Sequence, residues 1–517
     1  PGCVPYNIFQ RGPNGESLVS QAALDYVTGV GITTGETQQK VFGGNIQTNL
    51  DRFGIASPFA DSGPGILAGF EWRKDELVAT PDELSSQADG GFTGVGGPTV
   101  ATAGAVEVSE FYLESQLPLV EGAPFAEQLA IGGAYRYSDY ETDGAGTQNS
   151  FDTDTWFVFA NWTPVEDVRL RGQFQRAVRA PNVIELFSPI STGLPDLTQQ
   201  PNGFFDPCAG PNPAASQAEC ANTGVTAGQY GNVADVISGQ TQSIIGGNPF
   251  LSPEESDTIT VGAIITPRAI DGLTVSIDYF DIEVSDAIQS GAAPAATVLD
   301  LCLTTGDPTF CGLITRDQGG SLIAGTPGVG FQATNLNIAT LETSGFDFQV
   351  TYDLDLWDLG MEGMGSVRFD YASTWLDSSS QTAFPGADPL ECAGKVLGGC
   401  RAPTPEYRHR MLTTWQTPWD VTATATWRWF SEVENIGGAA SAGNIIDRGF
   451  DRVQYLDLSL DYAFTDELSF RAGVNNIFDK NPPLSTSAGT APGNGNIFPT
   501  VYDAQGRFIF FGATYRL

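Results

Sequence analysis

Residues 273–282 read LTVSIDYFDI, and this stretch decides the fold class of the chain. Apolar residues occupy every second position from Leu273 to Tyr279, and Thr274, Ser276 and Asp278 take the positions between them. A period of two places apolar and polar side chains on opposite faces of a β-strand. The same alternation recurs at 129–138, 168–176, 257–265, 346–353, 421–429 and 456–464.

The lengths of the connections between these strands favour a barrel over a soluble sandwich. Short connections are predicted at 164–167, 267–272, 418–420 and 465–467. Long ones are predicted at 179–254, 286–338, 377–405, 432–452 and 478–504. Short periplasmic turns and long extracellular loops are typical of a transmembrane β-barrel, whereas a sandwich has no reason to keep its loops so unequal. Aromatic residues beside the short turns would form an interfacial girdle: Trp162, Trp415, Trp419, Tyr462 and Phe464. We therefore predict an all-β, antiparallel transmembrane barrel.

Composition excludes several other classes of protein. Of the 517 residues 41% are hydrophobic, which argues against disorder. The sequence contains no run of about 18 apolar residues, so a helical membrane span is not predicted. The formal net charge is -37, from 61 Asp and Glu against 24 Lys and Arg, so phosphate backbones would be repelled and no nucleic-acid partner is expected. His409 is the single histidine, which excludes a histidine-based metal site. It is interpreted as a lumen or rim residue, and no catalytic cluster is found.

Six of the seven cysteines form three local pairs within Gly-, Pro-, Asn- and Asp-rich stretches. This spacing predicts disulfides that staple loops in an oxidising compartment. The predicted bonds are Cys208–Cys220, Cys302–Cys311 and Cys392–Cys400. Cys3 is left over; it is either a free thiol or the partner of a cysteine upstream of residue 1.

About fifteen strands are predicted, the first near 38–50 and the last at 505–517. Bacterial single-chain barrels close with an even number of strands. If the last strand descends, an odd count places residue 1 in an extracellular loop. We therefore expect the sequence to be a C-terminal piece, and its first residues lack the features of a signal peptide.

The order of several motifs resembles that of the TonB-dependent outer-membrane receptors of the large proteobacterial type. CVPYNIF at 3–9 resembles an extracellular-loop segment, and RAVRAPNVIELF at 176–187 resembles the mid-barrel signature. GNPFLSPEES at 247–256 and GVNNIFDKNPP at 473–483 resemble later motifs of the family, although the final Leu517 replaces the usual Phe. The resemblance implies a 22-stranded barrel of which residues 1–517 supply the C-terminal part, with the plug domain and first strands absent from this chain.

Charged residues on the polar faces of the predicted strands would line the barrel. An empty channel could use them for ion selectivity, and a plugged barrel could hold its plug with them by ion pairs and hydrogen bonds. The resemblance favours the plug. The predicted plug-facing residues are Arg136, Arg171, Asp278, Asp347, Arg368, Arg428, Asp461 and Arg471.

Ligand recognition is expected in the outer lumen and loops. Tyr230, Trp375 with Asp377, and Trp429 combine aromatic rings with nearby acids or amides, which suits stacking on sugar rings. A girdle or loop-core role is the alternative. No cofactor is expected, although calcium could bind in acidic loops such as 139–143.

The leading hypothesis is a receptor and active importer in the outer membrane of a Gram-negative bacterium, and not an enzyme. Its nutrient would be an oligosaccharide, a peptide or a metal chelate, and the acid excess argues mildly against an anionic chelate. The expected partners are outer-membrane lipid and lipopolysaccharide, the plug domain, and periplasmic TonB through the missing N-terminal part. The alternative is a passive porin or a surface-binding module.

Overall fold

A computed structural model describes the chain except residues 1–5, 7, 10, 88–97, 290–293, 324, 326–327, 397, 401, 437–448, 486–495 and 517. Cys3, which is left over from the predicted cysteine pairs, and the terminal Leu517 lie outside the described residues. So does the Gly-rich stretch 90–97.

Strands predominate in the described residues, and they are numbered here in chain order. They are β1 (Thr33–Asn49), β2 (Gly65–Pro81), β3 (Thr102–Ala123), β4 (Ala126–Gly144), β5 (Thr147–Val165), β6 (Val168–Arg179), β7 (Ser191–Gly193), β8 (Ser243–Gly246), β9 (Glu254–Ile265), β10 (Leu273–Gln289), β11 (Ile314–Thr315), β12 (Gly330–Thr334), β13 (Leu336–Asp355), β14 (Ser366–Thr382), β15 (Leu390–Glu391), β16 (Lys395–Val396), β17 (Tyr407–Gln416), β18 (Val421–Phe430), β19 (Val433–Asn435), β20 (Gly449–Phe450), β21 (Val453–Ala463), β22 (Leu468–Asn475) and β23 (Phe508–Tyr515).

Helices are short by comparison. They are α1 (Gln21–Val27), α2 (Val183–Phe187), α3 (Gln217–Asn222), α4 (Ala295–Thr305) and α5 (Pro308–Cys311), with 3-10 turns at Leu50–Phe53, Ile237–Gly239, Leu356–Leu359 and Gly398–Cys400. Across the described part of the chain, every helix is too short or too polar to cross a membrane.

One large sheet contains fifteen strands in a continuous antiparallel path. The order is β1-β2-β3-β4-β5-β6-β9-β10-β13-β14-β17-β18-β21-β22-β23, and the short β15 pairs with β14 off this path. Each strand of the path pairs with its sequence neighbours in the path, so the sheet is an up-and-down meander. The number of strands in this path agrees with the predicted count. Within the described residues β1 and β23 each have one hydrogen-bonded neighbour, and the sheet is open between them.

The two ends of the sheet differ in their connections. On one side, the short-turn side, β5–β6 and β21–β22 are joined by residues 166–167 and 464–467. The opposite, long-loop side carries the predicted long loops. Two connections depart from the general pattern: β1 and β2 on the short-turn side are joined by 50–64, and β4 and β5 on the long-loop side by the two residues 145–146. Ala145 (φ 52°) and Gly146 (φ 76°) both have positive φ, as a tight hairpin turn requires.

The register separates two faces of the sheet. Leu170 pairs with Ala263, and Ala263 pairs with Ile277, on the face that we call the outward face. Arg171 pairs with Gly262, which pairs with Asp278, on the opposite face, which we call the inner face. Residues of α2 pack against Val108 and Tyr140 on the inner face. The strands therefore expose an apolar face outward and a polar face inward.

Aromatic residues concentrate toward both ends of the strands. Near the short turns, the Trp415 and Trp419 rings lie 6.2 Å apart and the Tyr462 and Phe464 rings 6.0 Å apart. A second cluster lies on the outward face toward the long-loop side and includes His409, which stacks with Trp429 at 5.8 Å. The position of His409 corrects its expected place in the lumen or at the rim.

The described residues of 191–246 and 294–334, in the two longest loops, form a packed unit that we call the loop module. Its buried core contains residues from both loops, such as Leu197, Leu299 and Phe331. Phe384 from the β14–β17 loop also packs into this core. In a small sheet of the order β11-β12-β8-β7, β8 pairs in parallel with β12 and so joins the two loops. The ion pair between Arg316 and Asp206, with side chains 3% and 0% exposed, closes the core.

The three predicted cysteine pairs lie at disulfide distance. The Cα atoms are 5.7 Å apart in Cys208–Cys220, 4.8 Å in Cys302–Cys311 and 5.4 Å in Cys392–Cys400. The first two bonds belong to the loop module. The third closes the β14–β17 loop.

Candidate functional site

The inner face of the large sheet is the candidate site, and its central feature is an ion pair that spans three strands. Arg171 on β6 donates from Nη2 to Asp278 Oδ2 at 2.6 Å and from Nε to Asp278 Oδ1 at 2.7 Å. Ser276 Oγ donates a further bond to the same carboxylate at 2.6 Å. Bidentate pairing of this kind fixes the orientation of both side chains. The Arg171 side chain is still 45% exposed.

Gly262 makes this ion pair possible. It lies on β9 between Arg171 and Asp278, and a Cβ atom at this position would be 1.8 Å from Asp278 Oδ1. Any larger residue would force the carboxylate away from the guanidinium. Because Gly262 has no side chain, the Arg171 and Asp278 side chains can meet across the middle strand.

The other predicted plug-facing residues lie on the same inner face by the register of the sheet, and most have acidic or hydroxyl partners. Arg136 Nη1 lies 3.1 Å from Glu110 Oε2, and Thr374 donates to Asp347 at 2.7 Å. The remaining contacts are Arg368 with Asp353 and Asp370 (both 3.0 Å), Arg428 with Asp457 (3.0 Å) and Asp503 (2.7 Å), and Arg471 with Asp461 (3.7 Å). The eight residues predicted from the sequence therefore share one face, and contact with a plug stays a prediction.

Two of the sequence motifs meet at Arg179. This residue ends β6 and donates to Glu254, the first residue of β9, at 2.6 and 2.7 Å. It also donates to both oxygens of Glu185 in α2 at 3.0 Å. Residues 176–187 and 247–256 are therefore joined by one guanidinium, although the sequence analysis did not single out these three residues. Arg179, Glu185 and Glu254 could have been identified from the sequence, because they are charged residues of opposite sign within these two motifs.

Helix α2 is positioned over the inner face by this arrangement. Asn182 caps its first turn, because its side chain accepts from the N–H groups of Ile184 and Glu185 while Glu185 reaches back to the Asn182 N–H. Phe187 at its end is 3% exposed and covers Gly104 and Gly144, where added Cβ atoms would lie 2.4 and 2.6 Å from its ring. These glycines let the chain that follows β6 approach the barrel wall closely.

A cavity of about 690 Å³ lies between this segment and the first three strands. Its lining combines charged, amide and apolar groups, including Gln39, Arg73, Asp75, Tyr140 and Ile184. The Gln39 amide donates to Asp75 at 2.7 Å, so the polar groups on one wall are already ordered. This volume is within the range of small-molecule sites.

The four predicted ligand-binding residues do not converge on one site. Tyr230 donates to the Ala215 carbonyl at 2.9 Å and packs against the core of the loop module. Trp375 stacks on Phe346 at 5.8 Å on the outward face, and Asp377 lies at an irregularity in the pairing of β14 with β13. Trp429 also lies outward, beside His409. The expected position of Trp375 and Trp429 in the outer lumen is therefore corrected, and a ligand-binding role for the four residues stays a prediction.

The acidic residues of 139–143 lie near the hairpin between β4 and β5. In the described part of the chain no three His, Cys, Asp or Glu side chains are grouped so that they could hold a metal ion. Calcium binding stays a prediction.

Comparisons with known proteins agree with this geometry. The family described as TonB dependent receptor-like, beta-barrel matches residues 7–477. No curated protein sequence matches the chain.

Several solved structures share the fold. A mutant ferric enterobactin receptor from Pseudomonas aeruginosa in complex with enterobactin is 16% identical with a TM-score of 0.57, over 97% of this chain and 57% of that one. The siderophore receptor PirA from Acinetobacter baumannii is 14% identical with a TM-score of 0.54, over 93% and 55%. The ferripyoverdine receptor of the P. aeruginosa outer membrane is 12% identical with a TM-score of 0.51, over 94% and 49%. The chain thus spans about half the length of these proteins.

An antiparallel meander with an apolar outward face, a polar inner face and long loops toward one side defines the wall of an outer-membrane β-barrel. The family match covers most of the chain, so the chain belongs to the TonB-dependent receptor-like β-barrel family. Membership of this family confirms the predicted location in the outer membrane of a Gram-negative bacterium.

Proposed function

We propose that the chain forms most of the wall of an outer-membrane receptor that actively imports a nutrient through coupling to periplasmic TonB. The remaining strands and a plug domain are contributed by a part of the protein outside residues 1–517. The family membership and the share of the related structures that the chain spans support this division. Outer-membrane lipid and lipopolysaccharide surround the outward face.

One observation supports a filled rather than an empty lumen. The inner-face arginines are ion-paired to neighbouring strands, yet Arg171, Arg368 and Arg471 keep 45%, 47% and 62% of their side-chain surface exposed. A guanidinium has five N–H donors, and these pairs use only some of them. The outer edges of these groups are available to carbonyl and carboxylate groups of a plug.

Charge and the inner-face cavity support a choice among the nutrient classes. Solved structures that share the fold include receptors in complex with enterobactin and with ferripyoverdine, but identities of 12–16% establish the shared fold alone. The net charge of -37 disfavours the approach of an anionic ligand. Asp75 and Glu185 outnumber Arg73 among the charged residues whose side chains lie on the cavity side of the wall. Among an oligosaccharide, a peptide and a metal chelate, we therefore favour a neutral or cationic nutrient.

Planar-bilayer conductance and TonB binding of the full-length protein test this proposal. A plugged receptor has little steady conductance and binds the purified periplasmic domain of TonB. Replacing Arg171 and Arg471 by leucine in the full-length protein should raise the frequency of channel openings. Arg268→Leu is the control, because Arg268 pairs with Glu166 and Asp167 on the short-turn side, away from the inner face.

Large steady conductance together with the absence of TonB binding would favour a passive porin instead. Once a nutrient is identified by growth competition, its uptake should stop when the proton gradient is collapsed, although binding at the cell surface persists. Uptake that continued unchanged after uncoupling would contradict active import.

A further inference from the structure

The loop module contains a second cavity, of about 370 Å³, that is separate from the inner face of the sheet. It lies between the segment 197–219 and α4. Leu197, Phe205, Leu299 and Leu303 form apolar walls, and three of these side chains are at most 5% exposed. The exposed residues Asp300 and Thr304 stand at its opening.

Each wall of this cavity contains residues of an element that is cross-linked by a disulfide. Cys208–Cys220 spans the segment that forms one wall, and Cys302–Cys311 anchors the C-terminal half of α4, which forms the other. All four sulfur atoms belong to residues of the module core or packed against it. The cavity is therefore preformed, and a ligand would not have to order its walls on binding.

Charge selects the kind of ligand that fits this cavity. Glu219 and Asp300 line it, and none of the described lining residues is lysine or arginine. The Glu219 carboxylate accepts the backbone N–H of Ser216 at 2.6 Å, and this bond lowers the pKa of Glu219, so the group is ionised at neutral pH. Asp300 is exposed, and among the described residues no hydrogen bond or ion pair involves its carboxylate.

We propose that this cavity binds an organic cation that carries an apolar group beside an ammonium, such as the amine-bearing end of a peptide or a small aralkylamine. The apolar group enters between Leu299 and Phe205, and the ammonium remains at the opening beside Asp300 and Glu219. Burial of the apolar group supplies affinity, and the two carboxylates select its charge. Binding here does not depend on transport, so the failure of either proposal leaves the other standing.

Three small molecules that share a phenyl ring and differ in charge test the proposal. 2-Phenylethylamine, 2-phenylethanol and 3-phenylpropionate would be titrated into the full-length protein in detergent by isothermal calorimetry at pH 7. The amine should bind with a Kd of about 1–10 mM, as expected for a ligand of this size. The alcohol should bind about 3- to 10-fold more weakly, and the anion more weakly still. Equal affinities for the amine and the anion, or no binding of the amine at about 30 mM, would overturn the proposal.

Variants localise the binding. The isosteric pair Asp300→Asn and Glu219→Gln should lower amine affinity about 3- to 10-fold and leave alcohol binding unchanged; glutamine keeps the helix cap. Asp388→Asn removes an exposed charge from another loop and is the matched control. Ala296→Trp should fill the cavity and abolish binding of both molecules, and Thr304→Trp at the opening repeats this test if Ala296→Trp disturbs folding. Retained amine affinity in the folded variants would overturn the proposal.

Discussion

The barrel wall and the loop module are stabilised by different kinds of contact. In the wall, each strand between β1 and β23 pairs along its length with two neighbours, and side chains on both faces stay partly exposed. In the loop module, short elements from two distant loops enclose a buried core with two disulfides and one buried ion pair. The wall therefore depends on backbone pairing and on what lies against its two faces. The module carries its own stabilising contacts, as a small soluble domain does.

The sharpest test of this difference is the buried ion pair of the module. Arg316→Ala leaves Asp206 buried and without its charge partner, since Asp206 accepts both Nη1 (2.5 Å) and Nη2 (3.1 Å) of Arg316. We expect a loss of about 3–5 kcal/mol from the module. Limited proteolysis of residues 195–246 should accelerate, while the heat-modifiable mobility of the folded wall is retained.

Arg268→Ala provides the control for that substitution. Arg268 also pairs with two carboxylates, but its side chain is 66% exposed on the short-turn side. Its loss should change the free energy of unfolding little, because water competes with an exposed ion pair. Similar effects of the two substitutions would mean that the module core is not closed as described.

The wall should instead be sensitive to polarity on one face. Leu458→Arg places a charge near the middle of β21 on the outward face, in contact with lipid, and should cost about 2–4 kcal/mol in urea unfolding from lipid vesicles. Gln349→Arg on the inner face should cost much less, because that face is polar. Equal losses at both positions would contradict the assignment of the faces.

The removal of one disulfide should also affect the stability of the two regions differently. Replacing Cys208 and Cys220 by serine opens a loop with a sequence separation of 12 and should destabilise the module by about 3 kcal/mol. The wall should be unaffected. The same change at Cys392 and Cys400 opens the β14–β17 loop, from which Phe384 packs into the module core, and should accelerate proteolysis of the module much less. Equally fast cleavage of the module in both variants would contradict the stabilising role of Cys208–Cys220.

A smaller effect is expected at the glycine beneath the inner-face ion pair. Gly262→Val would displace the Asp278 carboxylate from Arg171 and should cost about 1–3 kcal/mol. Gly172→Ala is the control, since the nearest atom to an added Cβ there is 3.9 Å away. Urea unfolding of both variants in lipid vesicles measures the difference. A neutral Gly262→Val would mean that the pair does not cross β9 as described.

Much of the wall was predictable because a two-residue period is a local property of the sequence. The path of fifteen strands, the two faces and the inward position of Arg171 and Asp278 all follow from it. The β4–β5 hairpin was less clear, because the acidic residues of 139–143 were interpreted as a loop although they lie in β4, which continues to a two-residue turn. The same period, applied to Trp375 and Trp429, would have placed both residues outward.

The loop module and the segment above the inner face were beyond prediction for a different reason. The disulfide pairs could be predicted because their cysteines are close together in the sequence. The ion pair between Arg316 and Asp206 could not, because 110 residues separate the two. Nothing in the local pattern of either loop indicates that pairing. The contact of Phe187 with Gly104 and Gly144 likewise depends on the path of a five-residue helix, whose position is set by Arg179 and its two acidic partners.

Quenching of labels on adjacent residues of β10 by lipid tests the central claim most directly. Ser276→Cys and Ile277→Cys would be introduced separately into the full-length protein, labelled with a small fluorophore and reconstituted with lipids brominated on their acyl chains. The account predicts strong quenching at position 277, which faces lipid, and weak quenching at position 276, which faces the interior. Equal quenching at the two positions would contradict a membrane-spanning wall with one outward and one inner face.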